Sequence, residues 1–268
     1  MIGLFFGETI FPKLILKNIK KKKQKYFIID LSKNNLFKND PYSHRISIGQ
    51  FGRILKLIKQ KKCKKVIFAG KINKPKFSQL KLDVTGIYYI PRIIKAAKKG
   101  DAAILKELIT ILSLEKVKVI SSIYFNPELS LGRGNYSKIK PNKNDLADIK
   151  KGIKNLNNSN AYDHVQAAIV RNNIVLKETS KGTKKLIQSI KKTKINSGVL
   201  IKFPKKKQDL RADLPTIGLD TFKDCKRAGI KGIVLKSKKN IFLEKKKCIN
   251  FANKNKMFIK VKWRKYLF

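Results

Sequence analysis

Residues 2–30 read IGLFFGETIFPKLILKNIKKKKQKYFIID, and their pattern indicates the fold of the first third of the chain. Ile2–Phe6 and Tyr26–Asp30 are short apolar runs that end at a glycine and at an acid, which is typical of buried strands. Lys13–Lys20 lies between them as a helix candidate. The order strand, helix, strand with short connections predicts a parallel βαβ unit.

The same order continues to residue 69. The glycine-punctuated stretch Ile48–Gly52 opens a predicted helix over Arg53–Lys61, and Val66–Ala69 is a third strand that stops at Gly70. We therefore predict an α/β fold with a Rossmann-like parallel sheet. A GxGxxG fingerprint is absent from the sequence, so a standard dinucleotide cofactor is not supported. Ligands bind such sheets beyond the carboxyl ends of the strands, which places four segments around one crevice: Gly7–Pro12, Asp30, Gly49–Gly52 and Gly70–Lys74.

The rest of the chain predicts more helices and strands, in two domains. Pro91–Leu112 is mostly helical, with Asp101 as the expected cap after an interruption at Gly100, and Val117–Tyr124 is another strand. Residues 1–130 form the N-terminal Rossmann-like domain, residues 131–144 a linker rich in Gly, Pro, Asn, Ser and Lys, and residues 145–268 a C-terminal α/β domain. The predicted strands of that domain are Ala167–Val170, Ile174–Lys177, Val199–Phe203, Gly232–Leu235 and Met257–Val261. Its predicted helices are Asp145–Leu156, Lys184–Lys191, Thr221–Ala228 and Lys245–Asn253.

Basic residues dominate the composition. The chain has 64 Lys and Arg against 17 Asp and Glu, a formal net charge of +47. Such a charge attracts nucleotides, phospholipid head groups or nucleic acid. Lysines are spread along the whole chain and arginine, which reads bases, is rare, so we expect a solvated basic surface and no specific nucleic-acid site. Three scattered cysteines and two histidines support neither a zinc site nor a disulfide framework.

Compartment is predicted from what the sequence lacks. It has no apolar run long enough for a transmembrane helix, and its apolar N-terminus has no basic segment or cleavage site of a signal peptide. The cytoplasm is therefore the expected compartment. The apolar run Ile87–Ile90 is expected to pack in the core, with an acyl-chain groove as the alternative. Whether the chain forms a homo-oligomer stays open.

Gln208–Gly218, QDLRADLPTIG, carries the polar residues that point most directly to chemistry. Asp209, Arg211 and Asp213 alternate, and in an extended segment they would lie on one face. Carboxylate oxygens bind hard cations such as Mg²⁺, and an arginine binds a phosphate through two hydrogen bonds. A surface ion-pair ladder at a turn is the alternative. Because acids are scarce in this chain, two in one short segment favour the metal and phosphate interpretation.

Several segments together resemble the LpxI-type UDP-2,3-diacylglucosamine pyrophosphatases, a family of lipid A synthesis in Gram-negative bacteria. Their order and spacing run from near the start of the chain nearly to its end, and the last is long and specific. The matching segments are IGQFGRILKLIK (48–59), VIFAGKINKP (66–75), KAAKKGDAAIL (95–105), DLADIKKG (145–152), the E-x-x-x-G-T pattern of residues 178–183, and GVLIKFPKKKQDLRADLPTIG (198–218).

The resemblance implies a two-domain enzyme that holds its substrate in a cleft between the domains. It implies hydrolysis of UDP-2,3-diacylglucosamine to UMP and 2,3-diacylglucosamine 1-phosphate, with water attacking the α-phosphorus. The family's catalytic aspartate falls on Asp213, and a divalent cation, Mg²⁺ or Mn²⁺, would be bound by Asp213 and Asp209. The expected partners are this UDP-lipid and the anionic surface of the inner membrane. The candidate substrate-binding residues are Gln50, Gly70, Lys71, Gln166, Gly182, Thr183, Gln208 and Arg211.

Four segments depart from the family pattern. The usual glycine-rich first loop is FGETIFP (6–12), with Glu8 and Thr9 in place of small glycines, and an acid there would repel phosphate. The D-x-G-Q, G-T-D and G-D-D patterns appear as Asp163–Gln166, Gly182–Lys184 and Gly100–Ala102. The intact segment 208–218 favours retained hydrolysis. A homologue that binds the UDP-lipid without cleaving it is the alternative, and a basic nucleic-acid-binding protein is a third.

Overall fold

The chain divides into two structural units in the computed structural model, which describes residues 1–72, 77–158, 165–193, 196–205 and 208–262. The first unit comprises Met1–Pro127 together with Asp209–Asp213. The second comprises Glu128–Gln208 and Leu214–Phe268. The QDLRADLPTIG segment is therefore divided: Asp209–Asp213 belongs to the first unit, and Gln208 and Leu214–Gly218 belong to the second.

A five-stranded parallel sheet in the order β3-β2-β1-β4-β5 forms the centre of the first unit. The predicted parallel, Rossmann-like sheet is thus confirmed. The chain order reverses between β1 and β4, and this is the place where open α/β sheets bind ligands. The strands are β1 Ile2–Phe6, β2 Tyr26–Asp30, β3 Ser43–Arg45, β4 Lys65–Ala69 and β5 Lys118–Val119. The helices are α1 Phe11–Lys21, α2 Phe51–Gln60, α3 Val84–Ala97 and α4 Asp101–Leu114.

The predicted strand Val117–Tyr124 and the predicted helix cap Asp101 are wrong. Strand Val117–Tyr124 is reduced to the two residues of β5, because the N–H of Tyr124 donates to Ser121 in a turn instead of extending the strand. Asp101 is the first residue of α4, and Gly100, with a φ of 105°, occupies the cap position. A glycine adopts that φ without strain, and the Asp101 carboxylate lies in the first turn, where the helix dipole favours a negative charge.

The second unit has a six-stranded sheet in the order β6-β13-β11-β9-β7-β8. β9, β11 and β13 are parallel, whereas β7 runs antiparallel to β8 and β9. A separate pair, β10 and β12, is parallel. The strands are β6 Gly134–Asn135, β7 Ala167–Arg171, β8 Ile174–Lys177, β9 Val199–Lys202, β10 Thr216–Ile217, β11 Gly232–Lys236, β12 Ile241–Phe242 and β13 Phe258–Lys262. The helices are α5 Lys143–Asn158, α6 Gly182–Gln188, α7 Leu219–Arg227 and α8 Lys245–Lys254.

The predicted mixed α/β character of the second half is confirmed. Residues 131–144, predicted as a linker, contribute Leu131 to the core of this unit and β6 to its sheet. Asp145, the predicted cap of α5, lies inside the helix. Its N–H donates to the side-chain oxygen of Asn142, and its carboxylate accepts the N–H of Asn142, both at 2.9 Å. This reciprocal pair satisfies backbone donors of the first turn.

Each unit has its own apolar core. In the first, α2 packs Phe51, Ile54 and Ile58 against sheet residues such as Phe27 and Val66. In the second, Phe222, Cys225 and Ile233 belong to one buried cluster. Within the described ranges, no helix combines the length and the apolar character needed to cross a bilayer.

Candidate active site

The carboxyl ends of β1 and β4 are joined by backbone hydrogen bonds. Glu8 donates to the carbonyl of Lys71 at 2.7 Å, and Lys71 donates to the carbonyl of Glu8 at 3.1 Å. A Cβ on Gly7 would lie 2.4 Å from the carbonyl oxygen of Lys71, and Gly70 has a φ of 87°. Both glycines are therefore required by the close approach of the two loops. The Lys71 side chain is exposed at this edge, in the position predicted for a phosphate-binding lysine.

Glu8 and Thr9 replace glycines of the family pattern in the loop after β1. Thr9 has a φ of 91°, a left-handed conformation that costs a β-branched residue about 1–3 kcal/mol. The Glu8 carboxylate accepts the backbone N–H of Lys33, in the loop after β2. The chain thus keeps a glycine-like backbone at Thr9 and uses Glu8 to tie two neighbouring loops together.

The buried Asp30 organises the loop that follows β2. Its carboxylate accepts the N–H and the hydroxyl of Ser32 at 2.8 and 2.6 Å, and the N–H of Phe37 at 3.1 Å. Arg45 forms an ion pair with it at 3.8 Å. Asp30, which was predicted near the crevice, therefore stabilises the loop that follows its own strand.

Asp83 precedes α3, and its carboxylate contacts the N-terminus of α2. This is where the turn Gly49–Gly52 is a candidate ligand loop. Its carboxylate accepts the N–H groups of Gly52, Arg53 and Gly86 at 3.1, 3.0 and 2.7 Å, so it caps both α2 and α3. Burial alone would raise the pKa of Asp83, but these three donors outweigh it and hold the pKa below its ordinary value. Gln50 accepts a hydrogen bond from Arg53 at 3.0 Å.

The segment Asp209–Asp213 forms a turn, so the predicted extended conformation is wrong. The N–H groups of Ala212 and Asp213 both donate to the carbonyl of Asp209, at 3.2 and 2.9 Å. Arg211 binds the Asp209 carboxylate through two nitrogens, at 2.9 Å from Nε and 2.6 Å from Nη2. This guanidinium lowers the pKa of Asp209, and the carboxylate raises the pKa of Arg211. The alternating pattern therefore produces an ion pair at a turn.

Residues on either side of this turn are held locally. The side-chain oxygen of Gln208 accepts the N–H of Lys205 at 2.9 Å. Asp213 is half-buried, and Leu214 and Pro215 after it are buried. The carbonyl of Pro215 accepts the N–H of Ile241 at 2.9 Å, and β10 pairs with β12 immediately afterwards. Asp213 is thus followed by a fixed segment of backbone.

The carboxylates of this segment differ in their suitability for a metal ion. Both oxygens of Asp209 are already bound by Arg211, so Asp209 would bind a metal ion only by giving up this ion pair. Mg²⁺ is commonly held by one or two carboxylates together with substrate phosphates and water, and Asp213 fits that mode. Among the described residues, no group of three His, Cys, Asp or Glu side chains is arranged to hold a metal ion.

A polar pocket of about 360 Å³ lies in the second unit. It brings together three of the predicted binding residues, Gln166, Gly182 and Thr183. It also contains three buried charged residues that the sequence did not assign to a site, Glu178, Lys202 and Asp224. Its other lining residues are Lys181, Lys184, Ile187 and Thr221.

Glu178 links the predicted residues of this pocket to one another. Its Oε2 accepts the N–H of Gln166 at 2.9 Å, and its Oε1 accepts the hydroxyl of Thr183 at 2.7 Å. The N–H of Gly182 donates to the carbonyl of Thr179 at 3.0 Å. The N–H of Gly182 and the hydroxyl of Thr183 are therefore both used within the loop.

Lysines supply the positive charge of the pocket. Lys202 lies on β9, is 8% exposed, and donates from Nζ to the carbonyl of Thr216 at 3.1 Å. Lys181 and Lys184 flank Gly182 and Thr183 with exposed side chains. Asp224 forms an ion pair with Arg227. Three lysines against two acids, Glu178 and Asp224, leave the lining net positive, which favours an anionic group such as a phosphate.

Some sequence signals fall outside the described residues, and others were overlooked. Asp163, His164 and Lys74 lie outside the described residues. Glu178 was visible as the first letter of the E-x-x-x-G-T pattern, although it carried no predicted role. Lys202 had no usable signal, because a single lysine after a buried strand does not stand out in a chain with so many lysines.

A two-unit α/β protein with a Rossmann-like sheet and a basic polar pocket is the class that these features define. Models of the LpxI N-terminal domain and the LpxI C-terminal domain match residues 1–129 and 132–260. The chain therefore belongs to the LpxI family. It is 31% identical over 223 residues, 80% of each chain, to the UDP-2,3-diacylglucosamine pyrophosphatase LpxI of Caulobacter vibrioides.

Proposed function

We propose that this protein hydrolyses the pyrophosphate bond of UDP-2,3-diacylglucosamine, giving UMP and 2,3-diacylglucosamine 1-phosphate. The observation that carries the proposal is family membership along nearly the whole chain, together with the named activity of the Caulobacter relative. A polar pocket whose lining has three lysines against two acids, and therefore a net positive charge that attracts an anionic group, supports it.

Asp213 is the proposed catalytic residue. Its carboxylate accepts a proton from a water molecule as that water attacks the α-phosphorus, and the 2,3-diacylglucosamine 1-phosphate leaves with the electron pair of the broken P–O bond. The water oxygen remains on UMP. A bound Mg²⁺ or Mn²⁺ would be held by Asp213 and would neutralise charge on the phosphates. Arg211 and Asp209 act in this proposal as an ion pair that holds the turn before Asp213.

The remaining candidate residues bind substrate in this proposal. Lys181, Lys184 and Lys202 attract an anionic part of the ligand, while Glu178 fixes the positions of Gln166 and Thr183. Gly70 and Lys71 at the carboxyl end of β4, and Gln50 and Gln208, stay candidates for substrate contact. Lys71 is the cation among these four residues, and its side chain is exposed.

A protein that binds the UDP-lipid without cleaving it is the second candidate function. The departures from the family pattern in the loop after β1, Glu8 and Thr9 in place of small glycines, favour this alternative, because a changed ligand loop is one route to loss of hydrolysis. Hydrolysis and binding are separated by measuring both for the same variants. We place either activity at the cytoplasmic face of the inner membrane, where the basic surface would attract anionic lipid.

The test measures UMP release from UDP-2,3-diacylglucosamine with and without Mg²⁺. Asp213→Asn is expected to lower kcat by about 100-fold or more, because the amide cannot accept the proton and is a poorer ligand for Mg²⁺. Binding of the intact substrate should persist. Asp220→Asn, the same change at an exposed position in α7, is the matched control and should keep parental turnover.

Two results would contradict the proposal. Turnover of Asp213→Asn at the parental rate would remove Asp213 from the catalytic role. Binding of the substrate by the parent protein without UMP release, at any concentration of Mg²⁺ or Mn²⁺, would favour the non-cleaving alternative.

A further inference from the structure

The outer face of α3 is apolar. Val84, Ile87 and Tyr88 are 84%, 59% and 72% exposed, and Pro91 and Ile94 continue the same face at exposed positions. Their spacing of three and four residues places them in one stripe along the helix. The expectation that residues 87–90 pack in the core is therefore wrong for Ile87 and Tyr88. A contiguous exposed apolar stripe of this kind marks an interaction surface.

The opposite face of α3 is firmly attached to the first unit. Tyr89 is buried and meets Phe51 of α2 edge-to-face, with 5.8 Å between ring centroids. Arg92 forms an ion pair with Glu107 of α4 at 2.6 Å, and Asp83 caps the helix. The apolar stripe is thus presented by a folded helix that does not need to form on binding.

Lysines lie at both ends of this stripe. Lys81 precedes the helix, and Lys95, Lys98 and Lys99 lie at its C-terminal end, all with exposed side chains. Over residues 81–99 the single acid is Asp83, whose carboxylate is engaged by three backbone N–H groups. The apolar stripe therefore lies in a region of positive charge, which is complementary to an anionic surface.

We propose that α3 is a membrane-docking helix that lies in the interface of an anionic lipid bilayer. A helix of 14 residues spans about 21 Å, which is shorter than the hydrocarbon core, so the helix lies along the membrane surface. Tyr88 belongs to the residue types that settle at the head-group level, and lysines extend their charged ends toward lipid phosphates. The inference is independent of the proposed hydrolysis, because it concerns binding to lipid without substrate.

A second copy of this chain is a poorer occupant of the same face. Each copy carries a formal net charge of +47, and two such surfaces repel each other at moderate ionic strength. Lysines beside the apolar stripe would face each other across a symmetric contact. An anionic bilayer attracts these lysines and offers an apolar interior to the side chains of the stripe.

The first test measures co-sedimentation of the full-length protein with vesicles that contain no substrate. We expect binding to phosphatidylglycerol–phosphatidylethanolamine vesicles, at least about tenfold stronger than to phosphatidylcholine vesicles. The double variant Ile87→Ser, Tyr88→Ser should weaken binding by about tenfold or more. Tyr124→Ser with Ile174→Ser is the matched control, since both residues are exposed elsewhere (65% and 68%), and it should bind like the parent.

The second test changes charge only. Lys98→Glu with Lys99→Glu should weaken binding to anionic vesicles by about tenfold or more, and salt should reduce the difference. Lys150→Glu with Lys151→Glu makes the same change in net charge on exposed residues of α5 and should have a clearly smaller effect. Equal losses in the two pairs would assign binding to net charge alone and overturn the role of α3.

Other outcomes also overturn the proposal. These are absence of binding by the parent, equal binding to both vesicle types, and parental binding by the Ile87→Ser, Tyr88→Ser variant. A parent dimer that this variant abolishes, without vesicle binding, would assign the face to a second copy. If the Ile87→Ser, Tyr88→Ser variant retains vesicle binding but has a raised KM for detergent-solubilised substrate, the apolar face of α3 would be assigned to the acyl chains of the substrate. Loss of UMP release in Asp213→Asn does not affect this test, so the two proposals fail separately.

Discussion

Replacing Glu178 by glutamine tests whether this side chain organises the pocket of the second unit. The Glu178 carboxylate is 4% exposed, and each of its oxygens accepts one hydrogen bond, from the N–H of Gln166 and from the hydroxyl of Thr183. A glutamine has nearly the same shape, but one of its two terminal groups only donates. With its oxygen facing the N–H of Gln166, the amide NH₂ faces the hydroxyl of Thr183, which can turn to accept, so two hydrogen bonds to a charged group become two neutral ones.

The expected loss of stability follows from that count. A hydrogen bond to a charged group contributes about 1.5–3 kcal/mol and one between neutral groups about 0.5–1.5 kcal/mol, so each of the two bonds loses about 1–1.5 kcal/mol. We therefore expect Glu178→Gln to lower the free energy of unfolding of the second unit by about 2–3 kcal/mol. The corresponding fall in Tm is on the order of 5–10 °C. Glu128→Gln, at an exposed position of the same unit, should change Tm by less than about 2 °C.

The contact with Thr183 is measured by a double-mutant cycle. Thr183→Val removes the hydroxyl and Thr183→Ser keeps it, so serine is the matched control. Urea denaturation of the single and double variants should give a coupling free energy of about 1–2 kcal/mol between Glu178 and the hydroxyl. If the pocket binds substrate, Glu178→Gln should also raise KM, because neutral hydrogen bonds hold Gln166 and Thr183 less firmly.

Two results would refute this reasoning. An unchanged Tm for Glu178→Gln would mean that the carboxylate is not a buried double acceptor. A coupling free energy near zero, with equal stability of Thr183→Val and Thr183→Ser, would mean that the hydrogen bond of Thr183 contributes nothing to the loop.

Two further predictions concern the first unit. Glu8→Gln keeps an acceptor for the N–H of Lys33 and removes the charge, so KM for the UDP-lipid should fall if a phosphate lies near this loop; an unchanged KM would show that Glu8 is remote from the ligand. Asp83→Ala should lower stability by about 0.5–2 kcal/mol at pH 7 through loss of a helix cap. Because the folded pKa of Asp83 lies below its unfolded value of about 3.9, the stabilisation by its charge is complete above that value and disappears as pH falls through the folded pKa. The urea midpoints of the parent and of Asp83→Ala should therefore differ at pH 7 and converge as the pH is lowered. A difference between the two proteins that does not depend on pH would contradict the role of the carboxylate.

Strands were the part of the fold that sequence predicted best. Ile2–Phe6 and Tyr26–Asp30 have the predicted bounds, because a buried parallel strand is a short apolar run whose ends are marked by polar residues or glycine. The predicted strands Ala167–Val170 and Ile174–Lys177 are likewise present, as the antiparallel pair β7 and β8. Val117–Tyr124 failed because an apolar run alone does not reveal whether a partner strand of matching length is available.

Side-chain partners within the candidate site were predicted less well. Alternation of Asp209, Arg211 and Asp213 correctly identified an unusual charged segment, yet it implied the wrong backbone conformation. A turn and a strand both accommodate such a pattern, and the ion pair between Arg211 and Asp209 favours the turn. Asp83 is 30 residues from Arg53 along the chain, so its capping of α2 had no local signal.

The sequence by itself determined the class of this protein: its parallel sheet, its mixed α/β second half and its membership of the LpxI family. These properties follow from apolar periodicity, turn residues and ordered motifs, which act over short distances along the chain. Tertiary structure alone decided which polar groups are satisfied within the protein and which face outward. It buried Glu178 and Lys202 and left Ile87 and Tyr88 exposed, because burial depends on packing between segments distant in sequence, and charge or hydrophobicity read one residue at a time does not contain that information.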